Sequence, residues 1–198
     1  MSRAEPDTAR TAPEHFEALY EASPDPWNYD SSEYEREKYA ATLDAVGPGP
    51  HGRVLEVGCS IGAFTQLLAP HCDELVAMDF STRALELAQA RLGLLPNVEV
   101  IQGTFPEQAP AGRWDVVVCS EVLYYLGLPA FMQAVQWLRR QLELGTRLVA
   151  VSWRGEGTSE PLRGDWAHDR LLTELPSWHV LDGRRPGYRL DRFDGHGL

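Results

Sequence analysis

RVLEVGCSIG, running from Arg53 to Gly62, opens on Val54-Leu55-Glu56-Val57, an apolar run of the length and type of a strand. Gly58, Cys59, Ser60, Ile61 and Gly62 follow. Ala63-Phe64-Thr65-Gln66-Leu67-Leu68-Ala69 then has helical character and stops at Pro70. The stretch predicts a strand, a tight glycine loop and a helix. Backbone without side chains lets a ligand come close, and a helix start offers N–H groups with no partner inside the helix. The next apolar run, Glu74-Leu75-Val76-Ala77-Met78, ends in Asp79. An acid about twenty residues past the glycines suits the hydroxyl pair of a ribose.

Several readings compete for the loop. The dinucleotide fingerprint G-x-G-x-x-G needs glycines where Ser60 and Ala63 stand. G-x-S-x-G, the nucleophile elbow of α/β-hydrolases, is matched with Ser60 as the nucleophile. The loop also resembles motif I of the class I S-adenosylmethionine methyltransferases, E/D-x-G-x-G-x-G. Glu56, Gly58 and Gly62 fit that pattern, and Ser60 replaces the middle glycine. A plain strand-to-helix turn is the remaining reading, so the rest of the chain must decide.

Composition narrows the choice. A chain of 198 residues, 43% hydrophobic, suits one globular domain with its own core. A net charge of −11 disfavours a nucleic-acid backbone or an anionic membrane surface as partner. No apolar run is long enough to span a bilayer, and the first residues lack the apolar core of a signal peptide. Cys59, Cys72 and Cys119 are widely spaced, as free thiols in a reducing cytoplasm would be. The six histidines show no metal spacing, so no metal site is expected.

Taken in order, residues 1–12 are polar and expected to fray, and residues 13–198 form the single domain. Its N-terminal piece, 13–50, is helical. Pro13–Ala22 carries Phe16, Leu19 and Tyr20 on one face. Ser23-Pro24-Asp25-Pro26-Trp27 breaks that helix, and Ser32 with Glu35 reads as the capping box of the next. From residue 51 strands and helices alternate. Strands are expected at Arg53–Val57, Glu74–Asp79, Val98–Gln102, Trp114–Ser120 and Thr146–Trp153. A helix follows a Gly-rich loop at Asp165–Leu175, and weaker strands lie near Trp178–Leu181 and Tyr188–Arg192. Alternation of this kind implies a mainly parallel, doubly wound α/β sheet, with ligands at the carboxyl ends of the first and fourth strands, where the winding reverses.

The hydrolase reading loses ground in this context. Its elbow follows an earlier strand and an oxyanion loop, whereas here only helical sequence precedes the first strand. A triad from Ser60 would need Asp115 or Asp165 with His168 or His179, and Asp115 starts its strand at the opposite edge of the sheet. The chain instead resembles the nodulation protein S methyltransferases. The resemblance rests on Asp25-Pro26-Trp27, on Ser32-x-Tyr34-Glu35-x-x-Lys38-Tyr39-x-x-Thr42-Leu43, on Glu121-Val122-Leu123-Tyr124-Tyr125-Leu126 and on Tyr188-x-Leu190-Asp191-Arg192-Phe193. It spans roughly Pro13 to Asp194.

That resemblance implies a seven-stranded Rossmann-like sheet, S-adenosylmethionine as cofactor and a small-molecule amine as acceptor, an amino sugar or oligosaccharide. It implies cofactor contacts from Glu56, Gly58, Cys59, Ser60 and Gly62, from Asp79 and Phe80, from Gly103, Thr104 and Phe105, and from Ser120, Glu121 and Val122. Thr104 stands where the family usually has an acid. Trp27, Tyr34 and Lys38 fold over the acceptor pocket as a lid and join the cofactor contacts, with Lys38 meeting the cofactor carboxylate. Tyr124, Tyr125, Trp153 and Arg154 line the acceptor pocket. Glu121 and Tyr125 are the catalytic candidates, and Glu121 is either the base that takes the amine proton or an anchor for the cofactor. A chain that binds the cofactor without turning it over is a further reading, and oligomeric state is left open.

Overall fold

The computed structural model describes residues 9–155 and 160–196. Its centre is a seven-stranded sheet in the order β3-β2-β1-β4-β5-β7-β6. The strands are β1 (His51–Val57), β2 (Cys72–Asp79), β3 (Val98–Gln102), β4 (Val116–Ser120), β5 (Arg147–Trp153), β6 (His179–Arg184) and β7 (Tyr188–Asp194). The first five run parallel, and β7 pairs antiparallel with both β5 and β6. The helices are α1 (Pro13–Ala22), α2 (Glu33–Val46), α3 (Ala63–Leu68), α4 (Thr82–Leu92), α5 (Leu128–Glu143) and α6 (Gly164–Glu174).

The sheet is covered on both faces because its central strands are apolar on both. Successive side chains of a strand point to opposite faces. Val54, Val116, Val118, Val149 and Val151 share one core with Phe16 and Tyr20 of α1, Val46 of α2, Phe64 of α3 and Ala84 of α4. Leu55, Val57, Val117, Cys119 and Leu148 share the other with Phe131 and Leu138 of α5 and Leu171 of α6.

Element ends show where side chains overrule the pattern. β4 begins at Val116 and not at Trp114, whose fully buried ring turns beneath the Arg53 guanidinium, 4.2 Å away. β6 runs on to Arg184, because Asp182, Gly183 and Arg184 continue the pairing with β7. The β3–β4 connection carries no helix, so the alternation is incomplete there. The capping box of α2 is half made. Ser32 Oγ accepts the Glu35 N–H, but the Glu35 carboxylate turns away to Lys38. Of the stretch expected to fray, residues 1–8 lie outside the described part, while the Thr11 N–H bonds Tyr125 O and Arg10 bonds Phe105 O. Most of the Gly-rich loop after β5, residues 156–159, also lies outside it.

Register positions the site. Val57 stands opposite Met78 on one side and Cys119 on the other, so Gly58, Asp79 and Ser120 emerge side by side at one edge. Asp79 pairs with Gln102, which brings Gly103 alongside, and Ser120 pairs with Val151, which brings Trp153 near.

Candidate active site

A cavity of about 480 Å³ opens at that edge, over the point where the strand order reverses. Gly58 and Ser60 form its floor after β1, with Asp79 and Phe80 after β2 and Gly103, Thr104 and Phe105 after β3. Ser120, Glu121, Val122, Tyr124 and Tyr125 come from β4 and the turn beyond it, and Trp153 from β5. Trp27, Tyr34 and Lys38 close it from the N-terminal piece.

The glycine loop is shaped by close approach. Gly58 has φ +80°, and a Cβ there would run into the Val122 side chain. Ser60 and Glu121 also have positive φ, +51° and +57°. A non-glycine residue in that region costs about 1–2 kcal/mol, and such strain gathers where a wall is built for a ligand. Asp79 holds the loop. Its Oδ2 accepts the Ser60 N–H and its Oδ1 accepts the Ser81 N–H, both at 2.9 Å. Burial raises the Asp79 carboxyl against the pull of those N–H groups.

Glu56 lies behind the loop, 1% exposed, and its Oε2 has no hydrogen-bond partner among the described residues. Burial pushes its carboxyl up to about 7, opposed by the neighbouring Thr65 hydroxyl and helped by the Asp79 charge. Glu56 and Cys59 border a separate space of about 30 Å³, room for a water, and not the main cavity. Gly62 borders neither space. It sits at φ +77°, where a Cβ would strike Leu92, so its role is to bring α3 against α4.

At the other end Glu121 is enclosed. Its Oε1 accepts from Lys38 Nζ at 2.7 Å, and its Oε2 accepts from Tyr124 OH at 2.7 Å and from the Trp153 N–H at 2.8 Å. Lys38, 2% exposed, also pairs with Glu35 at 2.9 Å. Burial works against its ammonium, yet the Glu121 and Glu35 charges outweigh burial and raise it. Lys38 therefore faces two protein carboxylates at the cavity wall and keeps a third N–H donor. Burial first, then the Tyr124 hydrogen bond working against it and the Glu160 and Glu121 charges working with it, push Tyr125 up to about 12.

Arg154 does not line the cavity. Asp165 grips its guanidinium through both oxygens and Arg185 O takes another N–H, so the chain is drawn to the outer surface. Sequence reading missed Phe16, Tyr20, Tyr29, Glu35, Met78 and Glu160, all in the cavity wall. Phe16 and Tyr20 were visible as an apolar helix face, but nothing local told what that face covers. Ser60 Oγ bonds Tyr20 OH, while His168 and His179 both bond Asp191 on β7. Neither histidine lines the cavity, so Ser60 has no histidine base among the described residues and the hydrolase reading is not favoured.

The strand order, the glycine turn and the acid after β2 define a class I methyltransferase fold. The model of the family "Nodulation protein S (NodS)" matches residues 17–156. The nodulation protein S of Rhizobium tropici is 37% identical over 135 residues, covering 67% of this chain and 57% of that protein. The ribosomal RNA small subunit methyltransferase A of Geobacter metallireducens is 36% identical over 132 residues, 59% of this chain and 47% of that one. This chain thus spans about half the length of the curated relatives it matches. The crystal structure of N-methyltransferase NodS from Bradyrhizobium japonicum WM9 with S-adenosyl-L-homocysteine aligns at TM-score 0.75 and 25% identity, covering 92% of this chain and 98% of that one. The chain belongs to the nodulation protein S family.

Proposed function

We propose that the chain is an S-adenosylmethionine-dependent methyltransferase that methylates the nitrogen of a small amine, an amino sugar or a deacetylated chitooligosaccharide. The observation that carries this reading is one cavity at the switch point with a ribose-type acid at one end and an acid-rich aromatic cluster at the other. The residues present fit the cofactor. Gly58 borders the cavity with no side chain of its own, and the Asp79 carboxylate, which holds the Ser60 and Ser81 N–H groups, lines the same cavity as an acceptor for a hydroxyl pair. Met78, Phe80 and Phe105 offer apolar surface for a purine. When bound, the cofactor supplies a methyl group on a sulfonium, open to in-line attack by a nitrogen lone pair. Tyr34, Tyr124, Tyr125 and Trp153 surround the acid end, and aromatic faces beside carboxylates suit a cation.

Trp27, Tyr34 and Lys38 act in this reading as a lid, together with α1. The net charge of −11 supports a small acceptor over RNA, even with an RNA methyltransferase among the relatives. Three buried free cysteines suit a reducing cytoplasm, and no helix among the described residues is long and apolar enough to cross a membrane. Calorimetry with S-adenosylmethionine, followed by measuring S-adenosylhomocysteine formed from glucosamine oligomers, tests the assignment. Tight cofactor binding and turnover on the free amine but not on the N-acetylated oligomer are expected. NAD binding more tightly than S-adenosylmethionine would remove the assignment, and turnover on ribosomal RNA alone would transfer the acceptor to nucleic acid.

A further inference from the structure

Glu121 was a candidate base, and its surroundings speak against that role. A carboxylate that already accepts from an ammonium, a phenol and a backbone N–H has three of its about four lone-pair positions taken, which leaves Oε1 a single open position for a further proton donor. The neighbouring phenols do not relieve it. Burial raises Tyr34, Tyr39 and Tyr124, with the nearby carboxylates adding to it. Glu35 is held to Lys38 on α2, and its carboxyl is raised by burial against the pull of that ammonium. Glu56 on β1 faces the same wall from behind.

Lys38 is the hinge of this arrangement. It reaches from α2 across to the end of β4 and stands between two carboxylates, so the trio carries one surplus negative charge. We propose that Lys38 is a positioning residue that fixes Glu121 as a permanent anion facing the reaction centre, and that the acceptor amine reaches the site already neutral. The idea rests on the methyltransferase reading. The neutral amine gives its lone pair to the methyl carbon, and the carbon–sulfur bond breaks with its pair on sulfur. The nitrogen leaves as a methylammonium, which loses its proton to water after release. No protein base enters this balance, and the fixed anion favours the positive charge while it remains in the site.

Without the ammonium, Glu35 and Glu121 would face each other at the cavity wall with no cation between them. Like charges sharing a site disfavour ionisation of both together. The probes are S-adenosylhomocysteine, neutral at sulfur, and sinefungin, which carries an ammonium where the methyl sulfonium would stand. Calorimetry gives the ratio of their affinities for the wild type, Lys38→Arg, Lys38→Met, Glu121→Gln and Lys38→Gln, which keeps a donor facing Glu121 if the methionine variant does not fold.

The wild type should prefer sinefungin by about tenfold, the effect of roughly 1.4 kcal/mol, with little change between about pH 6 and 8. Lys38→Arg should match it. Lys38→Met and Lys38→Gln should lose the preference at the acid end of the range and regain it as pH rises, and Glu121→Gln should lack it throughout. Glu56 is present in every variant, so its own titration cancels in the comparison. The wild-type kcat should be flat over this range while kcat/KM follows the titration of the amine. Equal affinities in the wild type, or a Lys38→Met ratio as flat as the wild type's, would overturn the proposal and leave the methyltransferase reading standing. If neither probe binds the wild type, it is the methyltransferase reading that fails.

Discussion

Asp79 acts in two directions at the scale of a single residue. Its oxygens hold the Ser60 and Ser81 N–H groups, and the same oxygens are the proposed ribose acceptors. Asp79→Ala should weaken S-adenosylhomocysteine binding by about 1–3 kcal/mol and also lower Tm, because loop and helix start lose a charged acceptor together. Unchanged affinity would remove the ribose assignment. Ser60 makes the opposite case. Glycine at φ +51° relieves the strain of the left-handed region but gives up the bond to Tyr20 OH, so Ser60→Gly should stay within about 1 kcal/mol of the wild type. Ser60→Ala keeps the strain and loses the bond, and should melt lower than Ser60→Gly. Labelling of Ser60 by a fluorophosphonate would revive the nucleophile.

α1 shows, at the scale of an element, both what could be read from the sequence and what could not. Its bounds and apolar face follow from spacing alone, as do the bounds of β3. Its partner does not, because the contacts are made far along the chain. Phe16 meets Phe80 and Tyr125 edge-on at 5.3 Å and 4.9 Å, and Tyr20 reaches Ser60. The same limit governs the site. Gly58, Asp79 and Ser120 were legible because strand ends converge by rule, whereas the course of Lys38 to Glu121 and of Arg154 to Asp165 depends on which opposite charge packs nearest. Phe16→Ala should loosen α1 without unfolding the sheet. Weaker S-adenosylhomocysteine binding, new protease cleavage within residues 13–22 and a nearly unchanged Tm for the core are expected. Cooperative loss of the whole fold would show instead that α1 and the sheet unfold as one unit.

Buried acids set the pH response of the whole molecule. Burial raises Glu35 and Asp79 in the cavity wall and Glu56 behind it, Glu56 to about 7. A carboxyl raised on folding holds its proton longer in the native state than in the unfolded chain, so the native state binds more protons and stability falls as pH rises through the window between the two values. For Glu56 that window runs from its usual 4.5 to about 7, and the difference amounts to roughly 3 kcal/mol. Asp191 works in the other sense. Burial would raise it, but His168, Arg189 and His179 outweigh burial and lower it, so its contribution is present above the usual 3.8 and is lost as pH falls below that. The ligand-free chain should therefore melt highest near about pH 4 to 4.5 and lose stability from there to about pH 7. Glu56→Gln, which keeps the shape and removes the titration, should flatten that slope. Melting curves of both chains at steps of pH decide it, and a wild-type Tm that climbs from pH 5.5 to 8 would show that the cavity acids are not held as the structure holds them.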